Sequence, residues 1–294
     1  MPLVSVVLPA YFSFQTISLS LDALRKQRFR DFEVIVVNSS PETKTGELVT
    51  TKYPEVRFFQ SPVRLYPHAA RNYGIAHALG ELLVCSDPDV AAHEDWLEKL
   101  VIAYESGIAA GGGCMGVLEK TWWECGVHLA KFHELLPGLP KGRRQIVPTA
   151  NAFYSRDLWE RIGPFPEDVF AGDAIMSWRA AQAGHEPRFL PHAQVDHVHG
   201  GGWSQLWKER TARGREFLLE RAKFENWPTG RALAYWIATP LLPVLVLWRA
   251  FRAAWQCGWT VRYFATLPVQ LWAHVGWTLG EARAAMQLVS RKTA

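Results

Sequence analysis

Leu82-Leu83-Val84-Cys85-Ser86-Asp87-Pro88-Asp89-Val90 joins an apolar run of strand length to two aspartates separated by one proline. In open α/β sheets the loops at the C-terminal strand ends leave a crevice in which ligands bind. Carboxylates at i and i+2 on an extended turn can both reach one hard cation, such as Mg²⁺ or Mn²⁺. Pro88 fixes φ between them and stiffens the turn. The plainer alternative is a solvated turn, since Asp and Pro are ordinary turn residues.

Upstream, Leu3 to Leu8 is a β-branched apolar run closed by Pro9, which predicts a buried strand. Ile17, Leu21, Leu24 and Phe29 follow at helical spacing. A second buried run, Phe32 to Val37, ends in the turn cluster Asn38-Ser39-Ser40-Pro41. A helix over 42–53, a third strand at 56–59 and a helix over 68–79 stopping at Gly80 come next. Downstream, 96–104 predicts a helix and 108–113 a Gly-ended strand. Strands alternating with helices at this spacing argue for a mostly parallel sheet covered on both faces, so that Asn38 and Asp87 open onto one edge. No G-x-G-x-x-G follows the first strand, which weighs against a dinucleotide oxidoreductase.

From Met115 to Gln145 the pattern loosens into a loop-rich insertion with one helix. Order returns at 146–154. Ser155 is placed to cap a helix to Ile162, and Gly163-Pro164-Phe165-Pro166 breaks it. Gly172-Asp173 opens another helix ending at Gly184. Two short strands, 187–190 and 194–198, precede an amphipathic helix beginning near Trp203.

Across the 294 residues, 32 Lys and Arg stand against 28 Asp and Glu, a formal charge of +4 that does not argue for nucleic acid. Four separated cysteines with no C-x-x-C pair predict reduced thiols in the cytosol. The first residues lack the basic region and longer apolar core of a signal peptide.

Many of the 14 tryptophans crowd into the C-terminal third. Ala232–Trp248 and Tyr263–Gly280 are apolar stretches near the lower limit of roughly 17–25 residues for a membrane span. Arg249, Arg252 and Arg262 lie between them without an acidic residue, which fits interfacial or re-entrant helices better than spans. The alternative is a water-soluble helical subdomain packing on the core.

An ordered set of motifs resembles family 2 glycosyltransferases of the GT-A fold. It comprises Val4-Ser5-Val6-Val7-Leu8-Pro9-Ala10-Tyr11, Asp31 to Asn38, Ala69 to Ala76 with Gly80-Glu81, and the Asp-x-Asp at Asp87 and Asp89. Ala150 to Phe153, Arg156, Gly163, Phe165, Gly172-Asp173, Trp178-Arg179, Gly184, Pro191 and His197 continue it, so the likeness spans roughly residues 3 to 200. It implies an α/β GT-A catalytic domain over 1–202, with a nucleotide-binding half at 1–114 and an acceptor half at 115–202. Membrane-associated helices would occupy 203–294.

By this resemblance the chain is an inverting, metal-dependent transferase. It would move a sugar from a UDP- or GDP-sugar to a glycan or lipid-linked acceptor at the cytoplasmic face of the membrane. Asp89 would be the principal ligand of a divalent cation (Mg²⁺ or Mn²⁺), with Asp87 near the ribose and metal. His197 or His199 would add an imidazole. The donor's base would lie over Pro9, Ala10 and Tyr11 near Asn38, where the family usually has Asp. Arg71 is either a surface arginine or a contact to base or diphosphate. Asp173 would be the general base, or a helix N-cap; the acid that usually precedes it is replaced by Gly172. Trp178 and Arg179 would shape the acceptor side. Asn38 and Gly172 also motivate a rival, a nucleotide-sugar-binding membrane protein without turnover.

Overall fold

A computed structural model of the chain describes residues 1–290. Two compact units divide it, one of residues 1–118 and 140–197, the other of residues 119–139 and those from Val198 onward.

In the first unit, β1 (Val4–Ala10), α1 (Ile17–Arg25), β2 (Phe32–Asn38), α2 (Lys44–Lys52), β3 (Arg57–Gln60), α3 (Pro67–Ala76) and β4 (Leu82–Ser86) alternate as the apolar periodicity predicts. β5 (Val90–Ala92), α4 (Trp96–Glu105) and β6 (Ala110–Val117) follow. The second unit then takes α5 (Trp122–Phe132), and the first resumes with β7 (Gly142–Arg143), β8 (Asn151–Ser155), α6 (Arg156–Ile162), α7 (Gly172–Gln182) and β9 (Arg188–His197).

The sheet runs β3-β2-β1-β4-β8-β6-β9-β5, with β7 also on β9. From β3 to β4 every pairing is parallel, and every residue of β1 and β4 is buried, as expected of strands covered on both faces. Beyond β4 the sheet is mixed: β8 lies antiparallel to both β4 and β6, while β6 and β9 are parallel. The two strands expected at 187–190 and 194–198 are one ten-residue strand. A register shift opposite Gly113 and Met115 absorbs the irregularity around Pro191. Asn151 locks this half, giving Nδ2 to the carbonyls of Cys114 (3.0 Å) and Ala193 (3.1 Å) and accepting from Trp96 Nε1 at 2.8 Å.

The second unit is helical: α5 with α8 (Trp203–Phe224), α9 (Thr229–Ala238), α10 (Leu242–Gln256), α11 (Thr260–Ala265) and α12 (Leu267–Ser290). Thr121 caps α5, accepting from the Glu124 N–H at 3.2 Å. The segment expected to be a loop-rich part of the acceptor half thus contributes a helix to the other unit. Its apolar face, Val127 and Ala130, packs with Leu206, Val269 and Ala273. Compactness divides the chain at Val198, with 119–139 grouped beyond it, where the sequence reading sets its domain boundary at 202.

α12 crosses α8 closely: a Cβ on Gly280 would stand 2.1 Å from the Thr211 carbonyl oxygen, and one on Gly214 2.3 Å from that of Trp277. The second apolar stretch, Tyr263–Gly280, is therefore largely a packed helix, with Val269, Ala273 and His274 buried. Trp122, Trp123, Trp203, Trp207 and Trp272 pack against one another, with neighbouring ring centroids 4.5 to 6.2 Å apart. The first stretch differs. Among the described residues, Thr229–Gln256 is the one segment long and apolar enough to cross a membrane, and only 11% of its most apolar window is buried.

Candidate active site

Parallel pairing sets the C-terminal ends of β1, β2 and β4 along one edge, with Ala10 opposite Asn38. β4 ends at Ser86, and the Asp87-Pro88-Asp89 turn leads into β5, which pairs antiparallel with β9 so that Val90 faces His197. That pairing, invisible to local sequence, brings Asp89 Oδ1 to 3.8 Å from His197 Nε2. Ligand atoms of Asp87, Asp89 and His197 all lie within 4.8 Å of one another. Two ligands of one cation at about 2.0–2.3 Å stand roughly 3 to 4.5 Å apart, so a small closure would seat an ion. Two carboxylates and an imidazole suit Mg²⁺ or Mn²⁺.

Arg71, on α3 and only 2% exposed, forms an ion pair with Asp87 Oδ1. A charge buried this far requires such a partner, and the pairing fixes how the Asp87 carboxylate is turned. Burial pushes the neighbouring Cys85 thiol up to about 12, so it forms a neutral wall.

Asp173 lies in the first turn of α7, half-buried, with Oδ1 accepting from the Ala174 N–H at 2.8 Å. It is not the N-cap; Ala171 holds that position. The fully buried Tyr154 relates it to the aspartate pair. Burial raises the tyrosine's pKa, the Cys85 thiol and Asp173 raise it further, and Ser177 and Arg71 act against them. Tyr154 thus lies in the field of both Asp173 and the Arg71 that holds Asp87. Nothing in the local sequence marks Tyr154, whose neighbours are assembled by the β4–β8 pairing.

The other expected site residues fall into different situations. Pro9 and Ala10 are buried, whereas Tyr11 is exposed and carries the Arg64 guanidinium 4.7 Å from its ring centroid. Asn38 is fully buried and its amide engaged: Nδ2 donates to Gln60 Oε1 at 2.8 Å and Oδ1 accepts from the Ser40 hydroxyl at 2.6 Å. It holds the 39–40 turn instead of presenting its amide at the edge. Arg179 gives Nη1 to the Pro164 carbonyl at 2.7 Å, so it ties down the loop before α7. Trp178 is half-buried on α7. Of the two candidate histidines, His197 joins the aspartates, while His199 begins the second unit, its Nε2 3.0 Å from His128 Nδ1. Several motif residues prove to be architectural. Arg156, for instance, donates to the carbonyls of Ala78 and Gly80 at 2.8 and 2.6 Å.

The sequence matches the family model described as "Glycosyl transferase family 2" over residues 5–163, more than half the chain. A similar curated protein is the glycosyltransferase AglE of Haloferax volcanii, 26% identical over 257 residues covering 83% of this chain and 82% of AglE. The probable glycosyltransferase YdaM of Bacillus subtilis is 24% identical over 74% of this chain and 56% of its own. Among solved structures, the mannosyltransferase PcManGT from Pyrobaculum calidifontis, in complex with GDP-Man and Mn²⁺, superposes with a TM-score of 0.62 at 20% identity. It covers 100% of this chain and 88% of its own. S. aureus TarS 1-349 in complex with UDP-GlcNAc gives 0.56 at 15% identity, covering 98% and 92%. These likenesses establish a GT-A-like α/β fold.

Proposed function

The chain belongs to glycosyl transferase family 2, and from that premise we propose that it is an inverting, metal-dependent transferase using a nucleotide-diphospho sugar. The observation that carries this reading is the convergence of Asp87, Asp89 and His197 at the strand ends. These three residues would hold Mg²⁺ or Mn²⁺, with Asp89 the principal ligand. When bound, the cation would neutralise the charge developing on the leaving diphosphate. Arg71 keeps one oxygen of Asp87 engaged and its carboxylate oriented. The exposed Tyr11 ring, with Arg64 beside it, offers a face for the base and a positive charge for the phosphates. Asp173 takes the proton from the acceptor hydroxyl as the new glycosidic bond forms and the sugar–phosphate bond breaks.

The GDP-Man of PcManGT and the UDP-GlcNAc of TarS support a GDP- or UDP-sugar donor. A glycan or lipid-linked acceptor at the cytoplasmic membrane face fits the second unit. Ile237, Leu241, Val244, Trp255 and Val261 are each at least 65% exposed, and Arg249 and Arg252 accompany them without any acidic residue from 232 to 280. Apolar side chains with arginines suit an anionic bilayer surface.

A screen of GDP- and UDP-sugars for Mn²⁺-dependent nucleotide release tests the activity. In it, Asp173→Asn should lose about 10²- to 10⁴-fold in transfer and bind donor normally; undiminished turnover would remove Asp173 as base. Asp89→Ala should weaken Mn²⁺-supported GDP or UDP binding by at least about tenfold in a calorimetric titration, and unchanged affinity would sink the clamp. Flotation with phosphatidylglycerol vesicles should recover the protein, and Leu241→Glu with Val244→Glu should leave it in the soluble fraction. Equal flotation of that double variant would exclude this face.

A further inference from the structure

The helix that grips Asp87 also holds the start of α7. One turn before Arg71, His68 is 5% exposed, and its ring stacks on Phe165 at 4.9 Å between centroids. Its Nε2 lies 3.3 Å from the Phe170 carbonyl oxygen. A carbonyl only accepts, so this nitrogen carries the hydrogen. Gly172 sits against the same ring: a Cβ there would stand 2.6 Å from Cδ2 and 2.7 Å from Nε2, too close for any side chain unless the ring shifts. Asn72 secures the intervening loop, accepting from the Phe165 N–H at 3.0 Å and donating to its carbonyl at 2.8 Å.

We propose that His68 is a positioning residue for the transfer, seating the first turn of α7 so that Asp173 stands at a fixed offset from the carboxylate that Arg71 holds. The proposal rests on Asp173 being the base. One rigid helix contacts both sides of the reaction, His68 touching the residue before Asp173 and Arg71 touching Asp87. The two halves of the site are therefore registered through less than two turns of helix. The stretch from Gly163 to Ala171 contains no regular helix or strand, so the seat must come from side chains. Without it Asp173 retains its chemistry and loses its placement, and about 1 Å of misplacement is enough to cost roughly a hundredfold in rate.

The test uses the full chain and the nucleotide sugar that wild type turns over, GDP-mannose and UDP-GlcNAc being tried first. His68→Leu fills the volume and cannot donate to Phe170; it should lower kcat by about ten- to a hundredfold. The donor KM, and Mn²⁺-supported binding of GDP or UDP, should stay within about twofold. His68→Gln restores a donor and should recover most of kcat. Gly172→Ala should lose activity by pressing on the ring, and His68→Ala/Gly172→Ala should exceed Gly172→Ala alone. That pair reads the same contact if His68→Leu melts early.

Full kcat in His68→Leu, a loss confined to donor KM, no recovery in His68→Gln or no cost in Gly172→Ala would each overturn the proposal. The base assignment fails separately: Asp173→Asn with wild-type kcat removes it whatever His68 does. An inactive Asp173→Asn beside a fully active His68→Leu removes only the positioning role.

Discussion

In the first unit, Glu33 is partly buried, and that burial alone would push its carboxyl up. Hydrogen bonds from the Ser5 hydroxyl (2.7 Å), from Arg57 and from the Leu79 N–H (2.7 Å) outweigh that and hold it below the usual carboxylate range. In the second unit, burial lifts Glu281 to about 7 despite Trp277, Tyr235 and Arg210 nearby, and presses Arg210 down to about 10. His274 is driven well below its ordinary value by burial and by Arg210 and His133. Glu33 thus keeps its charge through directed partners, whereas Glu281, Arg210 and His274 are each shifted toward their neutral forms. Around Arg210 and Glu281 the helical unit disfavours charge, although Lys131 and Glu209 pair at 2.7 Å in the same unit.

The largest break in this contrast should come from Arg71→Met. Removing the buried guanidinium leaves the quarter-exposed Asp87 without its partner and should lower stability in denaturant unfolding, together with Mn²⁺-supported nucleotide binding by at least about tenfold. A variant of native stability would show that the pair is solvated.

A smaller effect distinguishes the units by pH. Glu281 has a raised folded pKa, so its contribution is fully present below the unfolded value near 4.3 and is lost as pH rises through about 7. Glu281→Gln should flatten that decline, an effect on the order of 3 kcal/mol at neutral pH. Glu33 has a lowered folded pKa, so its contribution is present above about pH 4.3 and is lost as pH falls through the folded value. Glu33→Gln should therefore destabilise by about 1 kcal/mol at neutral pH and by progressively less in acid. Melting curves across pH 3 to 8 that moved the same way in both variants would erase the distinction.

The parallel half of the sheet was legible because β1, β2 and β4 are continuous apolar runs, a signal that depends only on neighbours in sequence. The Asp87–Asp89 pair was legible for the same reason. Its third member was not separable from His199, since which imidazole faces the aspartates depends on the register of β9 against β5. Gly172 stood out as a departure from the family pattern, yet its cause, the His68 ring, lies far upstream. Asn38 was expected near the donor's base and Arg179 on the acceptor side; their side chains engage Gln60, Ser40 and the Pro164 carbonyl, partners that no local spacing announces. The C-terminal apolar stretches looked alike in composition, and only packing separates the buried α12 from the outward-facing Thr229–Gln256.

The excursion of residues 119–139 into the helical unit has a consequence for how the polypeptide is made. α5 leaves the ribosome long before α12, the helix that covers Val127 and Ala130 through Val269 and Ala273. Until the later helices emerge, the apolar face of α5 has nothing to pack on. The same threading means that no single cut separates the units. A truncation at residue 202 would strand α5, whereas one that also bridges Leu118 to Pro140 would remove the sticky face with its partner.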